Sequence, residues 1–402
     1  MSSTSADLAG RKGPVKFALY VHLPFCRRRC AYCDFVSFAG KEEAISPYIE
    51  WVLGEWQAVR DSLIFPATPE VTSCYLGGGT PSLLSEAQVE DLVEGLFSGG
   101  VAGPLEFTVE ANPESLTPSK LRCYKTLGIN RISLGVQSFS DGFLRKLGRI
   151  HTSSQAEAAI RMIHDEGWEN WNIDLMYGLP GQTPTAFERD LDRALAFEPP
   201  HLSAYCLTLA PETSFGRLAE EGRLQLPEER DILEMMDILE EKSARAGLFQ
   251  YETSNFAREG FACAHNLTYW HLEPYVGIGV GAVSYFRMPD EIWGGHWENP
   301  SGFPEYIKMV KEKEWQFKKR RILTKAQAFA ETLLVGLRLT QGISMKGLQE
   351  AFGGEWMRQV LGKISFLMDE GWLETKDGVL RLSPHGSRLL DTLLVEIISS
   401  VN

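Results

Sequence analysis

Cysteine is scarce and odd in number, seven in 402 residues, which excludes the dense disulfide framework of a small secreted domain. No apolar targeting stretch follows Met1, and no run reaches the roughly 18 to 20 apolar residues of a spanning helix. A cytoplasmic setting, where thiols stay reduced, is therefore expected. Positive charge is in short supply as well. Forty Lys and Arg against 53 Asp and Glu leave a net charge of −13, the wrong sign for a general nucleic-acid binder. Only Lys308 to Lys325 runs against that balance, with eight basic and two acidic residues, as in a solvated face or a surface for an anionic partner. Internal repeats and low-complexity segments are missing too. What is there, at 44% apolar, is a chain able to bury a large core and long enough for two domains.

From Phe17 to about Gly260, short apolar runs alternate with amphipathic stretches, the order of βα units around a parallel sheet. Six strands are expected: Phe17 to Leu23, Ser73 to Leu76, Leu105 to Val109, Arg131 to Val136, Asn172 to Met176 and Leu202 to Thr208. Ser85 with Gln88 reads as a capping box, Thr117-Pro118 as N-cap and first helical residue, and Gly128 and Gly167 as helix ends. The fold class is α/β, a partial (β/α)6 barrel, whose chemistry belongs at the C-terminal ends of the strands. Residues 1–16 read as a tail, 17–298 as the barrel and 299–402 as a small helical domain. In that last part Leu333 to Leu337, Met345 to Phe352 and Val360 to Met368 read as helices. A hairpin around Asp377-Gly378 follows, giving a winged-helix-like module.

Cys26, Cys30 and Cys33 stand in the pattern CxxxCxxC. A structural zinc site normally closes with four ligands at paired spacings, so the fourth would have to be His22 or a distant Cys. A 4Fe-4S cluster takes four thiolates; three leave one iron open to a small molecule. Gly77-Gly78-Gly79-Thr80-Pro81 follows the second strand, where missing side chains let backbone groups approach a ligand. Glu110, Gln137 and Asp174 fall near ends of predicted strands, and Arg149 follows twelve residues after Gln137. The carboxylates can accept from hydroxyls or an ammonium, and Arg149 can pair with a carboxylate ligand or form a structural ion pair with Asp174. His22, with Tyr20 nearby, reads either as a donor to a cluster sulfur or as a satisfied core histidine. Cys74, Cys123, Cys206 and Cys263 read as buried thiols. The segment His265-Asn266-Leu-Thr-Tyr269-Trp270, HNxxYW, reads by composition as packing, although histidine is a common heme ligand and aromatics cover a porphyrin face. Cys263-x-His265 does not match the CxxCH pattern of covalent heme attachment. Gly277-Ile-Gly279-Val-Gly281 lacks the context of a dinucleotide fingerprint and reads as a close backbone turn.

Together the cysteine loop, its flanks Tyr20-x-His22-x-Pro24-Phe25 and its internal Tyr32 resemble the radical-SAM signature in its oxygen-independent coproporphyrinogen III oxidase-like family. The resemblance implies a radical-SAM barrel with a 4Fe-4S cluster on Cys26, Cys30 and Cys33. It also implies S-adenosylmethionine contacts at Tyr20, Tyr32, Gly78, Gly79, Thr80, Glu110, Gln137, Arg149 and Asp174. Two departures from the oxidases, Phe35 in place of their additional Cys and a short segment before Tyr20, join HNxxYW in resembling the heme-chaperone branch. That branch implies heme contacts at His265, Asn266, Tyr269 and Trp270, no catalytic residue, and transfer of heme to an acceptor protein. A homodimer is left open. The alternatives are coproporphyrinogen III decarboxylation and a radical-SAM methylation or cyclopropanation, the last two requiring a second S-adenosylmethionine.

Overall fold

In the computed structural model, residues 15–62, 69–98, 101, 103–288, 291–389 and 393 are described. All six expected strands are present: β1 (Val15–Leu23), β2 (Pro69–Gly78), β3 (Glu106–Ala111), β4 (Arg131–Gln137), β5 (Trp171–Tyr177) and β6 (His201–Cys206). They pair in parallel in chain order. Strands buried on both faces need near-continuous apolar sequence, and β1 buries every residue from Phe17 to Leu23 except Tyr20, which is half-buried. β1 starts at Val15, so the last two residues of the expected 1–16 tail are strand; 1–14 lie outside the described residues.

The crossovers are α1 (Ile45–Arg60), α2 (Glu86–Phe97), α3 (Pro118–Thr126), α4 (Asp141–Leu147), α5 (Ser153–Asp165) and α6 (Pro184–Leu195). Their ends follow the local chemistry. Ser85 and Gln88 close a capping box on α2, and the Thr117 side chain accepts from the Lys120 N–H ahead of α3. Gly128 and Gly167 take φ of +82° and +69° where their helices stop, a conformation that suits glycine.

After β6 come α7 (Ser214–Glu220) and α8 (Glu229–Arg245), then β7 (Phe249–Glu252), β8 (Asn255–Ala257) and the short α9 (Ala264–Trp270). β9 (Tyr275–Ile278) lies parallel to β1, and β10 (Val283–Phe286), β11 (Gly295–Glu298) and β12 (Arg321–Ile322) continue antiparallel. The sheet order is β12-β11-β10-β9-β1-β2-β3-β4-β5-β6-β8-β7. Gly277 and Ile278 are thus strand, and only Gly279 to Gly281 form the expected turn, with φ of +100° and +67° at its two glycines.

α10 (Phe303–Glu312) packs against the barrel through Phe303, Tyr306 and Met309. A buried carboxylate ties it there. Glu55 of α1 accepts from the Gly279 N–H (2.9 Å), Asn299 Nδ2 (2.7 Å) and the Tyr306 hydroxyl (2.7 Å), while burial pushes its pKa up to about 7. Glu55→Ala leaves three donors without their acceptor and is expected to lower the stability of the chain by about 3 kcal/mol, read as a shift of the urea midpoint. An unchanged midpoint would remove this role from Glu55.

A second core forms from α11 (Lys325–Gly336), α12 (Met345–Phe352), α13 (Gly354–Asp369) and a small sheet, joined by Tyr285 of β10. That sheet holds β13 (Ile343–Ser344), β14 (Leu373–Lys376) and β15 (Val379–Leu382) in the order β13-β15-β14. Asp377 and Gly378 take φ of +53° and +77°, as a two-residue hairpin with this twist demands. Residues 303–322 therefore side with the barrel. The two cores meet where the Arg338 guanidinium lies 5.6 Å from the Trp270 ring, Gln341 bonds His271 (3.0 Å) and Arg388 pairs with Asp237. No helix among the described residues is long and apolar enough to cross a membrane.

Candidate functional site

Parallel strands end on one rim, so the loops that follow them converge there. The loop after β1 carries Cys26, Cys30 and Cys33 and is fastened by backbone. Phe25–Cys26 pairs with Phe38–Ala39, the Ala31 N–H donates to Leu147 O, and Ala31 O accepts from the Phe215 N–H, each at 2.9 Å. All three cysteines border one cavity of about 410 Å³. Thr80 Oγ1 donates toward Cys26 Sγ at 3.6 Å and Arg149 Nη1 toward Cys30 Sγ at 3.8 Å. Burial raises the Cys26 thiol and pushes that of Cys33 up to about 11. No group of three or more His, Cys, Asp or Glu among the described residues is disposed to hold a single metal ion.

His22 supplies no fourth ligand and donates to no sulfur. Its Nδ1 accepts from the Tyr20 hydroxyl at 3.0 Å, which leaves the proton on Nε2 to donate to Val36 O at 2.7 Å. The ring instead props the glycine turn: a Cβ on Gly78, at φ +107°, would stand 2.4 Å from His22 Cε1. A Cβ on Gly79 would stand 2.7 Å from the backbone N and O of Phe25.

Of the expected S-adenosylmethionine contacts, Tyr32, Gly78, Gly79, Thr80, Glu110, Gln137, Arg149 and Asp174 all border the cavity; Tyr20 does not, being turned to His22 inside the barrel. Glu110 accepts from the Gly78 N–H and the Tyr75 hydroxyl, both at 3.0 Å. Burial, and then the neighbouring Asp174 carboxylate, push Glu110 up to about 7 against those two donors. Asp174 is raised by burial too, although Ser133 (3.1 Å) and Asn172 (2.6 Å) donate to it. Arg149 donates to Asn112 Oδ1 (2.6 Å) and Gly135 O (2.8 Å), and no ion pair joins it to Asp174 among the described residues. Gln137 has φ +68° beside an irregularity in the β4–β5 register, local strain of the kind found at ligand sites.

Sequence reasoning missed Tyr75, Asn112 and Tyr205 on this wall. Tyr75 was within reach, since Ser73, Tyr75 and Gly77 share the inward face of β2 by its period of two. Cys74 and Cys263 are buried as expected, but Cys123 is half-buried and Cys206 is exposed on the cavity wall, because β6 ends there. None of the basic residues of Lys308 to Lys325 lines the cavity.

HNxxYW lies elsewhere. It forms α9 at the opposite end of the strands, where Glu106, the first residue of β3, accepts from the N–H groups of Ala264 (2.8 Å) and His265 (2.9 Å). His265 is 1% exposed, and its Nδ1 and Nε2 bond Ser73 Oγ (2.9 Å) and the Tyr269 hydroxyl (2.8 Å). Burial, and then Arg131, lower its pKa to about 3. As seated, His265 has no free nitrogen for heme iron, while Asn266, Tyr269 and Trp270 are only half-buried.

Two family models match the chain, the radical SAM superfamily over residues 20–194 and the HemN C-terminal domain over 323–389. Heme chaperone HemW of Bacillus subtilis (strain 168) is 34% identical over 92% of this chain and 96% of its own. Heme chaperone HemW of Escherichia coli (strain K12) is 38% identical over 68% and 71%. A mitochondrial protein of Danio rerio, radical S-adenosyl methionine domain-containing protein 1, is 32% identical over 96% and 87%. Among solved structures, coproporphyrinogen III oxidase (HemN) of Escherichia coli superposes with a TM-score of 0.81 at 21% identity, covering 98% of this chain and 92% of that one. At that identity the oxidase attests the fold alone. Similarity along nearly the whole length of the Bacillus relative goes further: the chain belongs to the HemW family, a radical-SAM barrel with a HemN-type C-terminal domain.

Proposed function

We propose that this protein is a heme chaperone, which binds heme and passes it to an acceptor protein and carries a 4Fe-4S cluster with exchangeable S-adenosylmethionine. The observation that carries the cofactor half is the meeting of three thiols, a glycine turn and two half-buried carboxylates on one wall. The heme half is supported by the relatives, whose name is heme chaperone.

The residues fit the cofactors. Cys26, Cys30 and Cys33 would hold a 4Fe-4S cluster, which when bound would supply an iron open to S-adenosylmethionine. Gly78 and Gly79 keep open a cradle that side chains would fill. Glu110 and Asp174 match the ligand's positive charge and ribose hydroxyls, and Arg149 stands ready for its carboxylate. His265 is not assigned to the iron, because its nitrogens are spent on Ser73 and Tyr269.

The test is anaerobic reconstitution followed by heme titration, read in the Soret band, with coproporphyrinogen III turnover measured in parallel. Stoichiometric heme binding without protoporphyrinogen formation is the expected result. Sustained decarboxylation would overturn the chaperone reading.

Glu110 also sets a pH dependence. A carboxyl raised from 4.5 to about 7 in the folded chain contributes stability that is present below 4.5 and lost as pH rises through about 7. A cationic ligand pairs with the charged form. The affinity for S-adenosylmethionine is therefore expected to rise between about pH 6 and about pH 8, and Glu110→Gln to flatten that rise. Equilibrium dialysis across the range checks it; a flat wild-type profile would remove Glu110 from the ligand.

A further inference from the structure

The histidine of α9 is sealed inside the barrel, and it ties the helix to the cofactor wall by an unbroken series of contacts. We propose that α9 is the positioning element for S-adenosylmethionine: through His265 it fixes the ring of Tyr75, and through Tyr75 the carboxylate of Glu110. The proposal rests on the reading of the cavity as an S-adenosylmethionine site.

The series starts at the helix cap. Glu106 satisfies the N–H groups of Ala264 and His265 and accepts from Cys263 Sγ at 3.4 Å. Any shift of α9 along the barrel axis strands those donors in the interior. From that seat the imidazole, fastened at both nitrogens, stacks on Tyr75 at 5.1 Å with 30° between planes. Tyr20 flanks the same phenol at 6.2 Å, and Gly77 passes so close that a Cβ would stand 2.9 Å from Tyr75 Cε1. A phenol confined this way has one place for its hydroxyl, 3.0 Å from Glu110 Oε1. Burial keeps the imidazole neutral, so it adds no positive charge behind the carboxylate that is to receive a cation.

The groups that bear electrostatically on Glu110 are Tyr75 on β2, Asp174 on β5, Tyr20 on β1, Tyr205 on β6 and Tyr269 on α9. Of these, the Tyr75 hydroxyl bonds the carboxylate and stabilises its charged form. Releasing that hydroxyl raises the pH at which Glu110 becomes available to the ligand.

The test uses the full chain, reconstituted with its cluster, and three variants: Tyr75→Phe, His265→Ala, and the double variant Ser73→Ala/Tyr269→Phe. The last keeps the imidazole and nearly all the packing but removes both of its hydrogen-bond partners. S-adenosylmethionine binding is followed by dialysis against pH, the cluster by EPR without ligand, and heme by Soret titration. Tyr75→Phe and His265→Ala are expected to weaken S-adenosylmethionine on the order of tenfold, the loss of one hydrogen bond to a charged group. Both move the midpoint of its pH profile upward, and the double variant moves it the same way by less. The cluster spectrum stays as in the wild type, and so does the heme titration of Tyr75→Phe and His265→Ala. If His265→Ala fails to fold, the double variant decides.

A midpoint that moves with Tyr75→Phe but not with the double variant or His265→Ala overturns the positioning role. Lost heme binding with intact S-adenosylmethionine affinity in His265→Ala overturns it as well, in favour of an iron ligand. If even Tyr75→Phe and Glu110→Gln leave S-adenosylmethionine binding untouched, the reading of the cavity itself fails.

Discussion

Cys30→Ala is expected to yield a folded chain with neither iron nor labile sulfide. The three thiols of the loop are the whole cysteine supply of its CxxxCxxC pattern, so losing one leaves two thiolates for a cluster that needs at least three protein ligands when a small molecule takes the fourth iron. The fold should survive. The loop is held by backbone bonds at Ala31 and by the Phe25–Cys26 pairing, and Arg149 keeps Asn112 and Gly135 as partners when the sulfur is gone. Iron and sulfide analysis against thermal unfolding separates the two effects. Cys206 provides the control, because it shares the wall but stands at the end of β6; Cys206→Ala should retain the full cluster. Wild-type iron content in Cys30→Ala would sink the assignment of the ligands.

Gly79→Ala is expected to abolish S-adenosylmethionine binding and to cost about 1 to 3 kcal/mol of stability, the range for forcing extra volume into a packed place. The added carbon meets the N and O of Phe25 at 2.7 Å and Leu23 O at 2.8 Å, backbone atoms that no rotamer change can clear. To make room, the turn must break the bonds from Gly79 N to Leu23 O (2.9 Å) and from Thr80 N to Phe25 O (2.8 Å), which align it with the cysteine loop. Gly54, inside α1 with nothing within 4 Å of its position for a Cβ, is the matched comparison: Gly54→Ala should stabilise the helix by up to about 1 kcal/mol. Calorimetry and a binding assay on both variants give the answer. Wild-type affinity in Gly79→Ala would dismiss the cradle.

What could be read from the chain was local or periodic. The six barrel strands announced themselves as apolar runs, the caps at Ser85 and Thr117 as side chains beside the donors they satisfy, and the Asp377-Gly378 hairpin as a turn that demands left-handed backbone. The rim residues Glu110, Gln137 and Asp174 were legible because parallel strands end together. Long-range pairing was not legible. β9 is four residues long with one glycine, and it is a strand through its pairing with β1, far away in sequence, and with β10. The seat of α9 depends on Glu106, 158 residues before Ala264, so nothing local to HNxxYW told that His265 is sealed inside the barrel while Asn266, Tyr269 and Trp270 stay half-buried. Cys206 was taken for a core thiol because nothing in its neighbourhood tells where a strand leaves the barrel.

The contact between Trp270 and Arg338 carries a thermodynamic consequence. A helix that sets the affinity of one end of the barrel and is touched at its other end by the second core cannot serve the two ends independently. On the proposed role of α9, a protein that docks on the C-terminal module and shifts the helix by displacing Arg338 or Gln341 changes the affinity for S-adenosylmethionine, and the cofactor changes the affinity for that protein by the same factor. Reciprocity of this kind would make the C-terminal module a sensor of whether the rim is occupied.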